Sequence, residues 1–187
     1  IEIYNGSGVD IDMSEYSISS CSNGCNVENE FDYPDNVTFE PGTIVIAGDV
    51  FVIAHPSADS TILAQADYTG YIYMSNGDDF HALTLAGATN SDYVVIDKVG
   101  EFGDDPGVGW DVAGISNATK DHTLVRKSNV ITGNLIWSES AGTDSVDSEW
   151  IVYDQNTWYF LGAHIADDPN YLSEDFEGEF QPAGWAL

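Results

Sequence analysis

The sequence predicts an all-β fold of the sandwich or barrel type. Short runs rich in β-branched and aromatic residues alternate with turn residues along most of the chain. A parallel α/β sheet needs crossover connections of about a dozen or more residues, usually helical, and no helical periodicity of that length is present. The chain has 187 residues, of which 43% are hydrophobic and 12% aromatic, so it can bury a core.

Nine short segments are predicted to be strands, and turn residues separate them. They lie at residues 1–4, 16–19, 43–47, 50–55, 71–74, 81–86, 93–99, 122–127 and 149–153. The dipeptide Gly48-Asp49 separates the third segment from the fourth, and it predicts a hairpin because glycine readily adopts a positive φ. A short helical turn is predicted at 58–65. The glycine- and proline-rich residues 104–114 are predicted to form a loop.

The charge balance is strongly acidic. The chain holds 32 Asp and Glu residues against 4 Lys and Arg residues, which gives a formal net charge of -28. Such a field repels phosphate backbones and anionic lipid headgroups, so the sequence predicts that the chain binds neither nucleic acid nor a membrane. The charge is compatible with a solvated acidic surface in salty water, where repulsion is screened, or with cation binding.

Two cysteines, Cys21 and Cys25, flank a short segment that contains Asn23 and Gly24. A zinc site needs about four ligands, and neither a second cysteine pair nor a histidine cluster follows in the sequence. We therefore predict a disulfide closed by a tight Asn-Gly turn, with two reduced thiols as the alternative. A disulfide is typical of oxidising compartments, so it favours an extracellular or cell-surface location.

A change in composition near residue 166 predicts a domain boundary. Residues 166–170 are polar and rich in turn formers, as linkers commonly are. We predict one domain over residues 1–166. Residues 167–187 are predicted to be a linker with the start of a following domain, or a tail packed on the first.

The acidic loops could supply the oxygen ligands of a calcium site. Calcium takes about six to eight oxygen ligands, often from carboxylates close together in a loop. The candidate ligands are Asp78, Asp79, Glu101, Asp104, Asp105 and Asp111. Their spacing does not match an EF-hand, and any bound ion is predicted to be structural. The alternative is that Asp78 and Asp104 form local turns while the other carboxylates face solvent.

The sequence shows no arrangement typical of an active site. Among 32 carboxylates, no pair can be singled out for acid–base hydrolysis. The histidines show no metal-binding spacing, and there is no Gly-x-Ser-x-Gly nucleophile motif, so we predict that the chain is not an enzyme. Aromatic faces could instead form a carbohydrate-binding surface, although a place in a predicted strand favours the core for Trp150. The candidates are Trp110, Trp137, Trp150 and Trp158.

The order of several short motifs resembles the lamin tail domain family in its bacterial extracellular version. The first half carries Ile-Glu-Ile-Tyr-Asn at 1–5, an aliphatic strand around a glycine at 46–54, Asn-Gly-Asp-Asp-Phe at 76–80 and Val-Ile-Asp-Lys-Val-Gly at 95–100. The second half carries Asp-Pro-Gly at 105–107, Asp-His-Thr-Leu-Val-Arg-Lys at 121–127, Glu-Trp-Ile-Val at 149–152 and Leu-Gly-Ala-His at 161–164. The segment 21–40 departs from the family pattern, because it is longer and more acidic.

The resemblance implies an immunoglobulin-like β-sandwich with Greek-key connections, in which Tyr4, Phe51 and Trp150 fill the core. It implies a non-catalytic accessory or interaction module of a secreted or cell-surface multidomain bacterial protein. The partners would be other domains of the same polypeptide or a surface component. A carbohydrate-binding module or a fragment of a secreted hydrolase is the alternative. Residues 174–185 resemble the start of a jelly-roll module, and His164 is implied to be a structural, hydrogen-bonded residue.

Overall fold

The computed structural model describes residues 1–103 and 105–164, and it consists of short strands joined by long loops. The strands are β1 (Glu2–Tyr4), β2 (Ile11–Asp12), β3 (Tyr16–Cys21), β4 (Tyr33–Thr38), β5 (Ile44–Val45), β6 (Val50–Val52), β7 (Phe80–Leu85), β8 (Val95–Val99), β9 (His122–Arg126) and β10 (Trp150–Asp154). The helices are a 3-10 turn (Met13–Glu15), α1 (Ser60–Leu63) and α2 (Trp137–Ala141). The all-β prediction is confirmed at the level of fold class. Asp104 and the predicted tail at 167–187 lie outside the described residues.

The largest sheet is antiparallel, with the strand order β4-β3-β7-β8. Ile18 of β3 is opposite Leu83 of β7, and Ser17 is opposite Thr84. Because side chains alternate between the faces of a sheet, the first pair points to one face and the second pair to the other. The sheet therefore has an apolar face and a face that buries hydroxyl groups.

Within the described residues, three further sheets have two strands each, and all three are antiparallel: β1 with β6, β2 with β5, and β9 with β10. The hairpin predicted around Gly48 is therefore wrong, since β5 and β6 pair with different strands. Gly48 does form a turn, with φ +84. Asn5 holds this turn: the amide of Gly48 donates to the Asn5 carbonyl, and the amide of Asn5 donates to the Asp49 carbonyl, each at 2.9 Å.

Other segments also differ from the predicted strands, and the short strand β2 was not predicted. Residues 71–74 form no strand: Tyr71 is buried in the core, whereas Ile72 and Tyr73 are exposed. β4 was not predicted, because Pro34, Asp35 and Asn36 are poor strand formers. It pairs with β3 through an irregular register, and Asp35 has φ +48.

The core is divided into three clusters. The first is centred on Met13, Ile18 and Phe51, the second on Val112, Trp137 and Trp150, and the third on Cys21, Phe31 and Phe80. Phe51 and Trp150 are buried as predicted, but they lie in different clusters, and Tyr4 is half-buried.

No helix among the described residues has the length and apolar character needed to cross a bilayer.

Candidate functional site

Cys21 and Cys25 form the predicted disulfide, with their Cα atoms 4.9 Å apart. The intervening turn is the Asn-Gly turn expected from the sequence: Asn23 has φ +53 and Gly24 has φ +76. A Cβ atom on Gly24 would lie 2.6 Å from the carbonyl oxygen of Gly103. Glycine is required here both for its conformation and for a close backbone approach.

The disulfide loop is hydrogen-bonded to two other loops. The amide of Gly24 donates to the Asp78 carbonyl at 3.3 Å, and the amide of Cys25 donates to the Gly103 carbonyl at 3.1 Å. The amide of Asn23 donates to Oδ1 of Asp79 at 2.9 Å. These contacts join three loops at one end of the central sheet.

Four of the predicted calcium ligands have separate hydrogen-bonding roles. Asp79 accepts from the amides of Asn23 and Asn76, Glu101 pairs with Lys98 Nζ at 2.6 Å, Asp105 accepts from the amide of Gly107, and Asp111 accepts from the amide of Asn117. Backbone amides therefore occupy most of these carboxylates. Such side chain to backbone bonds are typical of acidic residues in turns.

Asp78 differs from these four residues. Its side chain is 7% exposed, and its Oδ1 has no hydrogen-bond partner within the described ranges. Within the described residues, Asp78 Oδ1 therefore takes no part in a local turn, whereas Asp105 Oδ1 accepts from the amide of Gly107. No group of three His, Cys, Asp or Glu side chains in the part of the chain that the structure describes is arranged to hold a metal ion, and Asp104 is not in that part.

A small surface cavity of about 220 Å³ lies beside the disulfide. Tyr33, which is 50% exposed, and Tyr73, which is 86% exposed, line it together with Cys21, Asn36 and Met74. Sequence reasoning missed this surface, since the two tyrosines are forty residues apart. The alternation of residues 71–74 gave no signal either, because a strand would place Tyr71 and Tyr73 on the same face, whereas Tyr71 is buried and Tyr73 is exposed.

A second, much larger cleft of about 730 Å³ lies between the central sheet and the β9–β10 hairpin. Its walls are mostly apolar, and they come from separate parts of the chain. Representative residues are Ile3, Ile18, Leu83, Val125, Ile131 and Phe160.

Of the residues that the structure describes, Arg126 is one of five charged ones that line this cleft, together with Glu2, Asp79, Asp97 and Lys98. Its Nη2 donates to Asp97 Oδ1 at 3.0 Å, and its Nη1 lies 3.6 Å from Glu149 Oε2. The guanidinium also stacks 4.3 Å from the ring centroid of Trp150, which is a favourable cation–π geometry. The side chain is 12% exposed, and its Nε has no partner among the described residues.

Two histidines also line the cleft. His164 stacks on Tyr4 with a centroid distance of 4.2 Å, and burial lowers its pKa, against a backbone hydrogen bond with Val130 that raises it. Burial also lowers the pKa of His81, whose ring nitrogens face the carbonyl oxygens of Asp79 at 3.1 Å and Met74 at 2.9 Å. A neutral imidazole can donate to only one of the two carbonyl oxygens at His81, so these hydrogen bonds oppose the effect of burial on its pKa.

The four candidate tryptophans, all within the described residues, do not assemble into an exposed platform. Trp137 and Trp150 are buried, and Trp110 packs edge-to-face on Trp137 with an interplanar angle of 78°. Trp158 lines the large cleft instead. Stacking on a sugar would need exposed, roughly coplanar faces.

Comparison with family models, with curated proteins and with solved structures finds no match to this chain. The resemblance to lamin tail domains therefore depends on the order of the motifs.

Proposed function

We propose that this chain is a non-catalytic accessory module of a secreted or cell-surface multidomain bacterial protein, and that its antiparallel sheets form an immunoglobulin-like sandwich with Greek-key connections. The order of the lamin-tail motifs supports this assignment. The disulfide between Cys21 and Cys25 is compatible with an oxidising compartment. The role of the module is to bind other domains of the same polypeptide or a surface component.

The observation that carries this proposal is the exposed tyrosine surface beside the disulfide. Tyr33 and Tyr73 present large aromatic faces to solvent around a 220 Å³ cavity. Tyrosine provides a large contact area at low cost in side-chain entropy, and it is enriched at binding hot spots. The disulfide, with its hydrogen bonds to two neighbouring loops, restrains the wall of this surface that Cys21 forms, which lowers the cost of ordering that wall on binding.

The roles of the carboxylates also support a binding module rather than a hydrolase. Asp79, Asp105 and Asp111 accept hydrogen bonds from loop amides. Carboxylates used in this way stabilise turns, whereas acid–base catalysis needs two of them held across a substrate cleft.

The test is a comparison of wild type with the Tyr33→Ala, Tyr73→Ala double variant. Each is immobilised and probed with the polypeptide encoded next to this chain in its gene, and with a glycan array. We expect the adjoining polypeptide to bind and the double variant to lose at least about tenfold in affinity, since hot-spot residues contribute about 2 kcal/mol or more. Val146→Ala, at a residue that is 85% exposed and outside both cavities, is the control.

Other results would favour the alternatives. Binding to glycans alone would indicate a carbohydrate-binding module. Turnover of phosphate, glycoside or ester substrates by the purified chain would indicate a fragment of a hydrolase. If the double variant and the control bind equally well, the tyrosine surface is not the binding site.

A structural calcium ion is a second candidate, and Asp78 favours it. A buried carboxylate with an oxygen that lacks a partner is unfavourable unless a cation compensates it. This candidate predicts that calcium, but not magnesium, raises the unfolding temperature relative to excess chelator at matched ionic strength. Asp78→Asn should abolish the difference, and the exposed Glu28→Gln should not. Identical curves for the wild type in all three conditions would rule out the calcium site.

A further inference from the structure

The cleft between the central sheet and the β9–β10 hairpin has the size and lining of a small-molecule site. Its volume is about 730 Å³, whereas voids inside folded proteins rarely exceed a few water molecules. Sites for small molecules typically enclose ~300–1,000 Å³ and combine apolar walls with a few polar groups. The cleft is also separate from the tyrosine surface described above, since the two share one residue, Met74.

Two polar nitrogens of the cleft residues lack partners. Arg126 Nε and His164 Nε2 are buried, and neither has a hydrogen bond within residues 1–103 and 105–164. Both side chains line the cleft, and the charge of Arg126 is close enough to lower the pKa of His164. Because guanidinium nitrogens can only donate, Arg126 Nε requires an acceptor, and leaving it without one is unfavourable.

The charges around Arg126 restrict what the acceptor can be. Asp97 and Glu149 already lie 3.0 Å and 3.6 Å from its terminal nitrogens. A ligand carboxylate at Nε would be a third negative group around this guanidinium, in a chain of net charge -28. Lys98 also lines the cleft, but its ammonium group is already paired with Glu101. Like charges at such distances repel, and the repulsion is stronger away from bulk water. A neutral acceptor satisfies Arg126 Nε without this repulsion.

We infer that the cleft binds a neutral amphiphile with a long hydrocarbon body and a hydroxyl or ester head. The hydrocarbon packs on Ile18, Leu83 and Val125, where burial of apolar surface drives binding. The oxygen of the head accepts a hydrogen bond from Arg126 Nε. His164 lies beside the head and offers a second polar contact.

The experiment uses the full chain and the neutral dye Nile red, whose fluorescence rises in an apolar site. Dodecanol, methyl dodecanoate and dodecanoate are titrated as competitors in high salt at about pH 8, where the last is ionised. We expect the alcohol and the ester to displace the dye, and dodecanoate to compete about tenfold more weakly. Competition by dodecanoate that equals or exceeds the others would overturn the neutral head, and the absence of dye binding would overturn the site.

A pair of surface variants locates the binding. Ile131 lines the cleft and is 57% exposed, so Ile131→Asp places a charge in the site without disturbing the core. Val146 is 85% exposed and does not line the cleft, so Val146→Asp is matched in chemistry. We expect Ile131→Asp to reduce dye and ligand affinity about tenfold or more, and Val146→Asp to leave both unchanged. Equal affinities in the two variants would overturn the assignment to this cleft.

Discussion

The hydroxyl of Ser17 donates a hydrogen bond of 2.6 Å to the carboxylate of Asp35, across the register of β3 and β4. Asp35 also accepts from the amides of Gly87 and Ala88, at 2.8 Å and 3.1 Å. On the other side, the buried Ser17 hydroxyl is 2.8 Å from the Thr84 hydroxyl. One carboxylate therefore links the irregular strand β4 to β3 and to the turn after β7.

We expect Asp35→Asn to lower the free energy of unfolding by about 1–3 kcal/mol, because the amide group leaves at least one of these donors without an acceptor. Asparagine tolerates the positive φ of position 35, so this substitution should leave the backbone conformation unchanged. Denaturant unfolding at high salt measures the loss. Glu28→Gln, which removes one exposed charge, corrects for the reduced net charge; a loss of equal size in both variants would contradict the prediction.

Removal of the disulfide should lower the free energy of unfolding, but the protein should still fold. The closed loop of residues 21–25 is short, so it restricts the unfolded chain only modestly, and we expect Cys25→Ser to cost about 2 kcal/mol. Reducing buffer should lower the free energy of unfolding of the wild type by the same amount. Complete loss of structure in reducing buffer would show that the disulfide is instead essential for folding.

The indole of Trp150 depends on one buried hydroxyl. Its Nε1 donates to Ser140 Oγ at 2.9 Å, and Ser140 is fully buried in α2. Ser140→Ala should lower the free energy of unfolding by about 1–3 kcal/mol, because the indole N–H loses its acceptor. Ser138→Ala, on the exposed side of the same helix, should be neutral or slightly stabilising, because alanine favours helices. Thermal unfolding of the two variants provides the comparison.

Acid should destabilise the protein through His81. Its pKa is lowered in the folded state, first by burial, so the unfolded chain binds a proton more readily. The contribution of His81 to the free energy of unfolding is fully present above its pKa of about 6.5 in the unfolded chain. It is lost as the pH falls through the pKa of His81 in the folded state. We expect the free energy of unfolding to fall from pH 7.5 towards lower pH, and His81→Gln to flatten that slope.

The exposed His122→Gln is the control for this measurement. If both histidine variants retain the slope of the wild type, other groups cause the acid sensitivity. The loss of negative charge on acidification acts in the opposite direction, because it reduces self-repulsion in a chain of net charge -28.

Local patterns predicted the elements whose causes are local. The alternation at 16–19 indicated β3, and the short spacing of Cys21 and Cys25 around an Asn-Gly pair indicated the disulfide and its turn. The partners of β5 and β6 could not be predicted in this way. Asn5 determines how the chain turns at Gly48, and the two residues are far apart in sequence. The predicted hairpin was wrong because this long-range contact replaced the local one.

The candidate sites were harder to predict than the strands. The exposed cavity brings Tyr33 close to Tyr73, and the large cleft combines residues from 1–7 and 157–164 with the central sheet. Composition had indicated carboxylates as candidate functional groups, and the structure shows that Asp79 and Asp105 accept hydrogen bonds from backbone amides of the loops. Sequence patterns report what a residue can do, whereas its partner depends on the tertiary fold.

The division of the core into clusters has a consequence for local opening. Val112, Trp137 and Trp150 pack with β9 and β10, and the large cleft separates much of this unit from the central sheet. Polar contacts such as that between Arg126 and Asp97 bridge the two parts. Hydrogen exchange should therefore begin in the β9–β10 hairpin, at a lower free energy than in β3 and β7, because fewer buried contacts must be broken to expose its amides.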